Sequence, residues 1–205
     1  MKVLIADDHA IVRRGIMQAI KDEMPGTVLG EASRENEILD RIAREPWDVL
    51  VLDIGLPARS GLEVLKDVKG KKPNLPVLML TVYGEEQYAQ RARDYGASGY
   101  LTKDAAPDVI CKAIKDVAAG RTVFSEGSAV PPRSGDPSSP ESKLSDREEQ
   151  VLRLLASGLT AKEIAAQLNL SIKTVSTYRT RALSKLGLQR TGELIAYGVR
   201  RGLGA

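Results

Sequence analysis

Residues 48–53 read DVLVLD, four apolar residues in a row with an aspartate at each end. An apolar run this short with no polar alternation is the mark of a strand buried on both faces, as in a parallel sheet covered by helices. The pattern recurs outward in both directions: VLIA at 3–6 and TVLG at 27–30 before it, PVLMLT at 76–81 and GYLT at 99–102 after it. Helical spacing fills the intervals, with Val12, Ile16, Ala19 and Ile20 in the first and Val109, Ala113, Ile114 and Val117 after the last strand. Repeated β-then-α units predict a five-stranded parallel doubly wound α/β sheet over residues 1–122.

Beyond the sheet the composition changes. Residues 125–143, SEGSAVPPRSGDPSSPESK, hold six Ser, four Pro and two Gly and no apolar period. Such a stretch buries too little to order itself, so a linker is expected over 123–143. Residues 144–205 carry no strand signal and predict an all-α domain of four helices, near 146–157, 161–168, 172–186 and 192–201. Two of these helices open on capping boxes, Ser145 with Glu148 and Thr160 with Glu163, and Gly158 and Gly187 stand where helices should stop. Trp47, just before the third strand, is expected to pack.

With 205 residues, 42% apolar and 28% charged, the chain has enough side chains to build cores without disulfides or metal. A single cysteine, Cys111, excludes an internal disulfide and a cysteine-rich zinc site. It is expected to be a buried, inert thiol. No apolar run nears the ~18 residues of a membrane span, and the start MKVLIADD turns acidic too early for a signal peptide, so a cytoplasmic protein with no membrane partner is expected. The net charge of +3 conceals an asymmetry: residues 141–205 hold 11 Lys or Arg against six Asp or Glu. Such a local excess favours a polyanion, nucleic acid first.

In a doubly wound sheet ligands bind at the carboxyl ends of the strands. There lie Asp7 and Asp8 after the first strand, Asp53 ending the third, Thr81 ending the fourth and Lys103 after the fifth. Three crowded carboxylates repel unless a cation joins them, and oxygen ligands with room for water suit Mg²⁺ or Mn²⁺. Such an ion neutralises charge on a transferring phosphoryl group. Lys103 is placed to hold one phosphoryl oxygen and Thr81 to donate to another, with a carboxylate as nucleophile. His9, the lone histidine, is expected to begin the first helix.

With Asp7-Asp8, Asp53 in DIGLP, Thr81, and Lys103 preceded by Tyr100, residues 1–120 resemble the receiver domain of two-component response regulators, a flavodoxin-like fold. The resemblance implies that Asp53 accepts phosphate from a sensor histidine kinase, with Asp7, Asp8, Asp53 and the backbone carbonyl of Gly55 around Mg²⁺. It implies Thr81 and Tyr100 as a switch pair. Many receivers carry proline after the lysine; here Asp104 follows Lys103, which leaves the isomer of that bond open.

The second and third C-terminal helices meet at the short turn Asn169-Leu170-Ser171, the arrangement that sets a recognition helix in a DNA major groove. Ile172, Val175, Ala182, Leu183 and Leu186 are expected to form the buried stripe. Lys173, Ser176, Thr177, Thr180, Arg181 and Ser184 lie on the other side. The stretch from LSDREEQVLRLLASGLTAKEIAAQLNLS to SKLG resembles a LuxR-type DNA-binding domain, and the whole chain resembles the NarL/FixJ family of response regulators. The resemblance carries groove-facing positions onto Ser176, Thr177 and Thr180, with Lys173 and Thr174 near the helix start. Members often carry Lys where Ser176 and Thr180 stand, which shifts phosphate binding toward Arg179, Arg181 and Lys185. It also implies a phosphorylation-dependent homodimer on promoter DNA, involving the last helix near Glu193–Val199. The function expected is a phosphorylation-controlled transcriptional regulator, not an enzyme. A phosphohydrolase of the haloacid-dehalogenase type would need an aspartate at the position of Gly55. A receiver that acts as a phosphate-independent dimerisation or ligand module is the other alternative.

Overall fold

A computed structural model of the chain describes residues 1–57, 59–82, 86–124, 144–168, 170–201 and 203. It divides into two compact units, one within 1–130 and one within 131–205. From residue 125 onward the expected linker lies outside the described residues, as does Asn169 of the expected helix–helix turn.

The first unit runs β1 (Lys2–Ala6), α1 (Ala10–Glu23), β2 (Val28–Ala32), α2 (Glu35–Arg44), β3 (Val49–Leu52), α3 (Gly61–Lys71), β4 (Val77–Thr81), α4 (Glu86–Asp94), β5 (Gly99–Thr102) and α5 (Pro107–Ala118). All strand pairs are parallel, in the order β2-β1-β3-β4-β5. Strand order therefore reverses between β1 and β3, which opens a crevice at their carboxyl ends.

Alternate residues of each central strand feed two separate cores. Leu4, Leu50, Leu52, Val77 and Met79 pack with Ile38 and Ile42 of α2, Leu62 and Leu65 of α3, and Ala89 and Ala92 of α4. Val3, Ile5, Val49, Val51, Leu78 and Leu80 pack with Ile16 and Ile20 of α1 and Ile110, Ile114 and Val117 of α5. Burial on both faces is why β3 reads as an unbroken apolar run. A Val, Leu, Ile or Met side chain fully buried there contributes about 1.5–3 kcal/mol.

Three expectations shift in this unit. Strand β2 runs to Ala32, past the expected end at Gly30. It is an edge strand, so the exposed Glu31 is tolerated within it. Asp48 and Asp53 fall just outside β3, where Asp48 Oδ2 accepts from the Lys2 N–H at 2.6 Å and the Asp53 N–H donates to the Ala6 carbonyl at 2.9 Å. Val109 is exposed, because the inward stripe of α5 starts one residue later and runs Ile110, Ala113, Ile114, Val117. Trp47 packs as expected against the first core. It lies so close that a Cβ on Gly30 would stand 2.3 Å from its ring.

The second unit holds α6 (Asp146–Ala156), α7 (Ala161–Gln167), α8 (Ile172–Leu186) and α9 (Thr191–Arg200). Both expected capping boxes form, each hydroxyl accepting from the N3 amide while the N3 glutamate accepts from the cap amide. Gly158 and Gly187 take φ of +89° and +69° where α6 and α8 end, a left-handed conformation that costs glycine least. Val151, Leu152, Leu155, Ile164, Leu168, Val175, Ala182 and Leu194 are buried. Ile172, expected in the inward stripe of α8, is instead 52% exposed. It opens the helix between exposed Ser171 and Lys173, so this first turn projects beyond the packed part. No helix among the described residues is long and apolar enough to cross a membrane.

Candidate functional site

Backbone pairing brings the acidic residues together. The Asp7 N–H donates to the Ala32 carbonyl at 3.1 Å, the Asp53 N–H to Ala6 at 2.9 Å, and the Lys103 N–H to Thr81 at 2.7 Å. Asp7, Asp53, Thr81 and Lys103 thus extend β1, β3, β4 and β5 to one edge of the sheet. Asp7, Asp53 and Thr81 are each 3% exposed or less. Lys103 Nζ lies 2.7 Å from Asp7 Oδ2 and 2.8 Å from Asp53 Oδ2, a buried cation shared by two carboxylates.

Burial raises the Asp53 pKa above the ordinary carboxylate value, the Lys103 charge opposes that rise, and Asp7 reinforces it. Burial also works against the charge of Lys103, yet the pull of Asp53 and Asp7 outweighs it and raises that pKa. The Gly55 N–H hydrogen-bonds the Asp53 carboxylate and favours its charged form. Among the described residues Asp53 Oδ1 has no hydrogen-bond partner, although it is fully buried. An oxygen so placed keeps its lone pairs for an ion or an electrophile, since leaving a buried charged acceptor unpaired is costly.

Gly61, the first residue of α3, makes this geometry possible. Its N–H donates to the Ile54 carbonyl at 2.9 Å, and a Cβ there would stand 2.0 Å from the Asp53 carbonyl oxygen. Ser60 and Glu63 form a capping box behind it. Tyr100 is buried in the core with Tyr88, Ala89 and Ala92 of α4, so the aromatic ring points inward. The Lys103–Asp104 bond is trans.

Three further residues join the site. His9 stands at the N-cap position of α1 without a side-chain capping bond; its N–H donates to Asp7 Oδ1 at 2.8 Å and its Nδ1 lies 2.7 Å from Asp8 Oδ1. Asp7, Asp8, His9 and Asp53 each offer one ligand atom within 4.8 Å of the other three. Sequence reasoning missed Arg13 and Arg59. Arg13 Nη1 donates to the Asp7 carbonyl at 2.7 Å while its Nε reaches Glu31 at 3.1 Å, fastening the acidic loop to the edge strand. Arg59, in the loop after Asp53, bonds Glu35 at the start of α2 and Asp67 of α3. The local signal for either is an arginine near an acidic turn, too common to single out.

On α8 the expected contact residues separate into three groups. Lys173, Thr177, Thr180 and Arg181 are exposed, and Thr174, Ser176 and Arg179 half-buried. The Thr177 and Thr180 hydroxyls donate back to the Lys173 and Ser176 carbonyls, each at 2.9 Å. Their protons are spent on the helix, which leaves these hydroxyls only acceptor lone pairs to offer. The Thr174 N–H is capped by Ser171 Oγ at 3.0 Å. Lys185 stands apart: its Nζ lies 2.6 Å from Oε2 of the buried Glu148 on α6, which also accepts from the Ser145 N–H at 2.8 Å. Its charge therefore serves the helix packing.

Residues 3–115 match the family model described as response regulator receiver domain, and residues 142–197 the one described as bacterial regulatory proteins, luxR family. The chain is 37% identical over 195 residues to the DNA-binding transcriptional activator DevR/DosR of Mycobacterium tuberculosis, covering 93% of this chain and 90% of that one. It is 34% identical over 210 residues to the response regulator UvrY of Escherichia coli, covering 99% and 95%. Among solved structures it is similar to RcsB from Salmonella enterica serovar Typhimurium bound to promoter P1flhDC in the presence of the phosphomimetic BeF3⁻, at TM-score 0.59 and 30% identity over 96% and 97% of the two chains. A structure of two RcsB dimers bound to two parallel DNAs matches at TM-score 0.58 and 28% identity, over 96% of each chain.

Proposed function

The chain belongs to the response regulators of two-component systems that carry a LuxR-type DNA-binding domain, and we propose that a phosphoryl group transferred to Asp53 is what switches it. It is a regulator of transcription, not an enzyme. One observation carries the proposal: the buried Asp53 carboxylate has one oxygen held by Lys103 and the other without a donor among the described residues.

In the proposed transfer an Asp53 oxygen attacks phosphorus, and the P–N bond to the phosphohistidine of a sensor kinase breaks. Lys103 already sits against both carboxylates and offsets the added negative charge as a point cation. The Thr81 hydroxyl, at the end of β4, donates to a phosphoryl oxygen, and Tyr100 keeps its inward position behind it. The donor set fits a divalent cation, since Asp7, Asp8 and Asp53 converge and Asp53 Oδ1 lacks a partner among the described residues. Mg²⁺ or Mn²⁺, when bound there with the Gly55 carbonyl as a further ligand, supplies charge neutralisation. Arg13 and Arg59 hold the two loops that carry these aspartates.

The phosphorylated receiver, residues 1–122, then alters docking across the linker 123–143 and permits a dimer on promoter DNA. Groove contact falls to Lys173, Thr174, Ser176, Thr177 and Thr180, and phosphate contact to Arg179 and Arg181. The family resemblance and the DNA-bound RcsB neighbours support this reading. A full switch from 1:99 to 99:1 requires the phosphoryl group to favour one state by about 5.5 kcal/mol.

The deciding experiment compares wild type with Asp53→Asn in DNA binding and light-scattering mass, before and after Mg²⁺ and a small phosphodonor. Treatment is expected to dimerise only the wild type and to tighten only its DNA binding. An Asp53→Asn chain that responds like the wild type, or a wild type that does not respond, sinks the proposal.

A further inference from the structure

The chain has one histidine and one cysteine, and the histidine stands in the acidic cluster. His9 Nδ1 lies 2.7 Å from Asp8 Oδ1 and 3.4 Å from Asp7 Oδ1. Donors at right angles around one ion, each about 2.1 Å from it, are about 3 Å apart, and opposite donors about 4.2 Å. The four candidate atoms of Asp7, Asp8, His9 and Asp53 lie within 4.8 Å of one another. Four donor atoms this close can converge on a single ion.

Two observations beyond the acidic residues point to a ligand there. Asp53 Oδ1 is buried without a hydrogen-bond partner among the described residues, in a residue 3% exposed. Lys103 lies against Oδ2 of both Asp7 and Asp53, so Oδ1 is the Asp53 oxygen open to an ion. The imidazole adds a nitrogen donor from a half-exposed side chain, 52% accessible, so it can engage an ion without opening the core.

We propose that His9 makes this a mixed nitrogen and oxygen site that takes late first-row transition ions, such as Ni²⁺, Co²⁺ or Zn²⁺, in preference to Mg²⁺. The proposal rests on the reading of the acidic cluster as a cation site and adds its selectivity. Mg²⁺ is satisfied by carboxylates and water and gains little from imidazole, whereas imidazole suits the later metals, whose affinities rise along the series to copper. A transition ion held there competes with Mg²⁺ for the Asp53 carboxylate. Phosphoacceptance would then respond to the supply of such metals as well as to the kinase.

Composition makes the test clean, because Cys111 is 2% exposed and no second histidine exists to compete. Calorimetric titrations with Ni²⁺ alone and with Mg²⁺ alone would use the full chain without a histidine tag, as wild type, His9→Gln and Asp8→Asn. His9→Gln is expected to weaken Ni²⁺ binding by about tenfold or more and to leave Mg²⁺ within about twofold. Asp8→Asn is expected to weaken both. Unchanged Ni²⁺ affinity in His9→Gln, or equal losses for the two ions, overturns the selectivity while leaving the cation site standing. A wild type that binds Mg²⁺ but not Ni²⁺ overturns it in the same way. Binding of neither ion removes the cation site itself, and the selectivity with it. As a second readout, the visible bands of Co²⁺-loaded wild type should change in His9→Gln; identical spectra count against a nitrogen ligand.

Discussion

The acidic site and the recognition helix are built on opposite plans. The first gathers buried charge from the ends of three strands, where Lys103 is balanced by Asp7 and Asp53, and Asp7 is held by His9 and Arg13. The second draws its contact residues from one helix, and those residues are exposed or half-buried while Val175 and Ala182 hold the helix down. In the acidic site stability and chemistry share the same atoms. On α8 they are carried by different side chains. Substitutions should accordingly damage folding in the first region and binding alone in the second.

Lys103→Met tests the coupled region hardest. Removing the shared cation leaves two buried carboxylates without it, and the chain is expected to lose about 3–5 kcal/mol of unfolding free energy without metal. Denaturant titration of the first unit reads this, and a loss below about 1 kcal/mol would break the comparison. Gly61→Ala comes next. The Cβ meets the Asp53 carbonyl at 2.0 Å, so the start of α3 must move, at about 1–3 kcal/mol and with a slower phosphorylation rate.

The pH dependence has a definite sign. Because burial raises the Asp53 pKa, the folded chain keeps a proton at pH values where the unfolded chain has lost it. That contribution is complete below the ordinary carboxylate value and fades as pH rises through the raised one, by up to about 1.4 kcal/mol per pH unit. Metal-free unfolding curves should show this fall in wild type, and Asp53→Asn should lack it. The contribution of Lys103, also raised, fades only at alkaline pH.

The smallest effect sharpens the contrast within α8. Arg181→Ala is expected to leave unfolding within about 0.5 kcal/mol and to reduce the salt slope of DNA binding by about 1. Lys185→Ala, four residues along, should do the reverse. It strands the buried Glu148 at about 1 kcal/mol and leaves the salt slope nearly unchanged. Equal behaviour of the two variants would erase the distinction drawn from the Glu148 contact.

Much of the acidic site was legible because its residues follow strands that announce themselves. A parallel strand buried on both faces must be apolar throughout, so the polar residue that ends it stands out, as Asp7, Asp53 and Thr81 do. The capping boxes at Ser145 and Thr160 were legible for a similar reason, being contacts three residues apart. Ile172 and Val109 were misplaced because periodicity gives a helix its stripe but not where packing begins along it.

The residues alone therefore determined the strand and helix types, the acidic and basic groups, and the helix caps, since these follow from local periodicity and short-range hydrogen bonding. Tertiary structure decided which charges meet. Arg13 reaches Glu31 because β2 lies beside β1, Arg59 reaches Glu35 and Asp67 because α2 and α3 pack together, and Lys185 reaches Glu148 across 37 residues. Ion pairs depend on distances of a few ångströms between segments far apart in the chain. No local pattern encodes those distances.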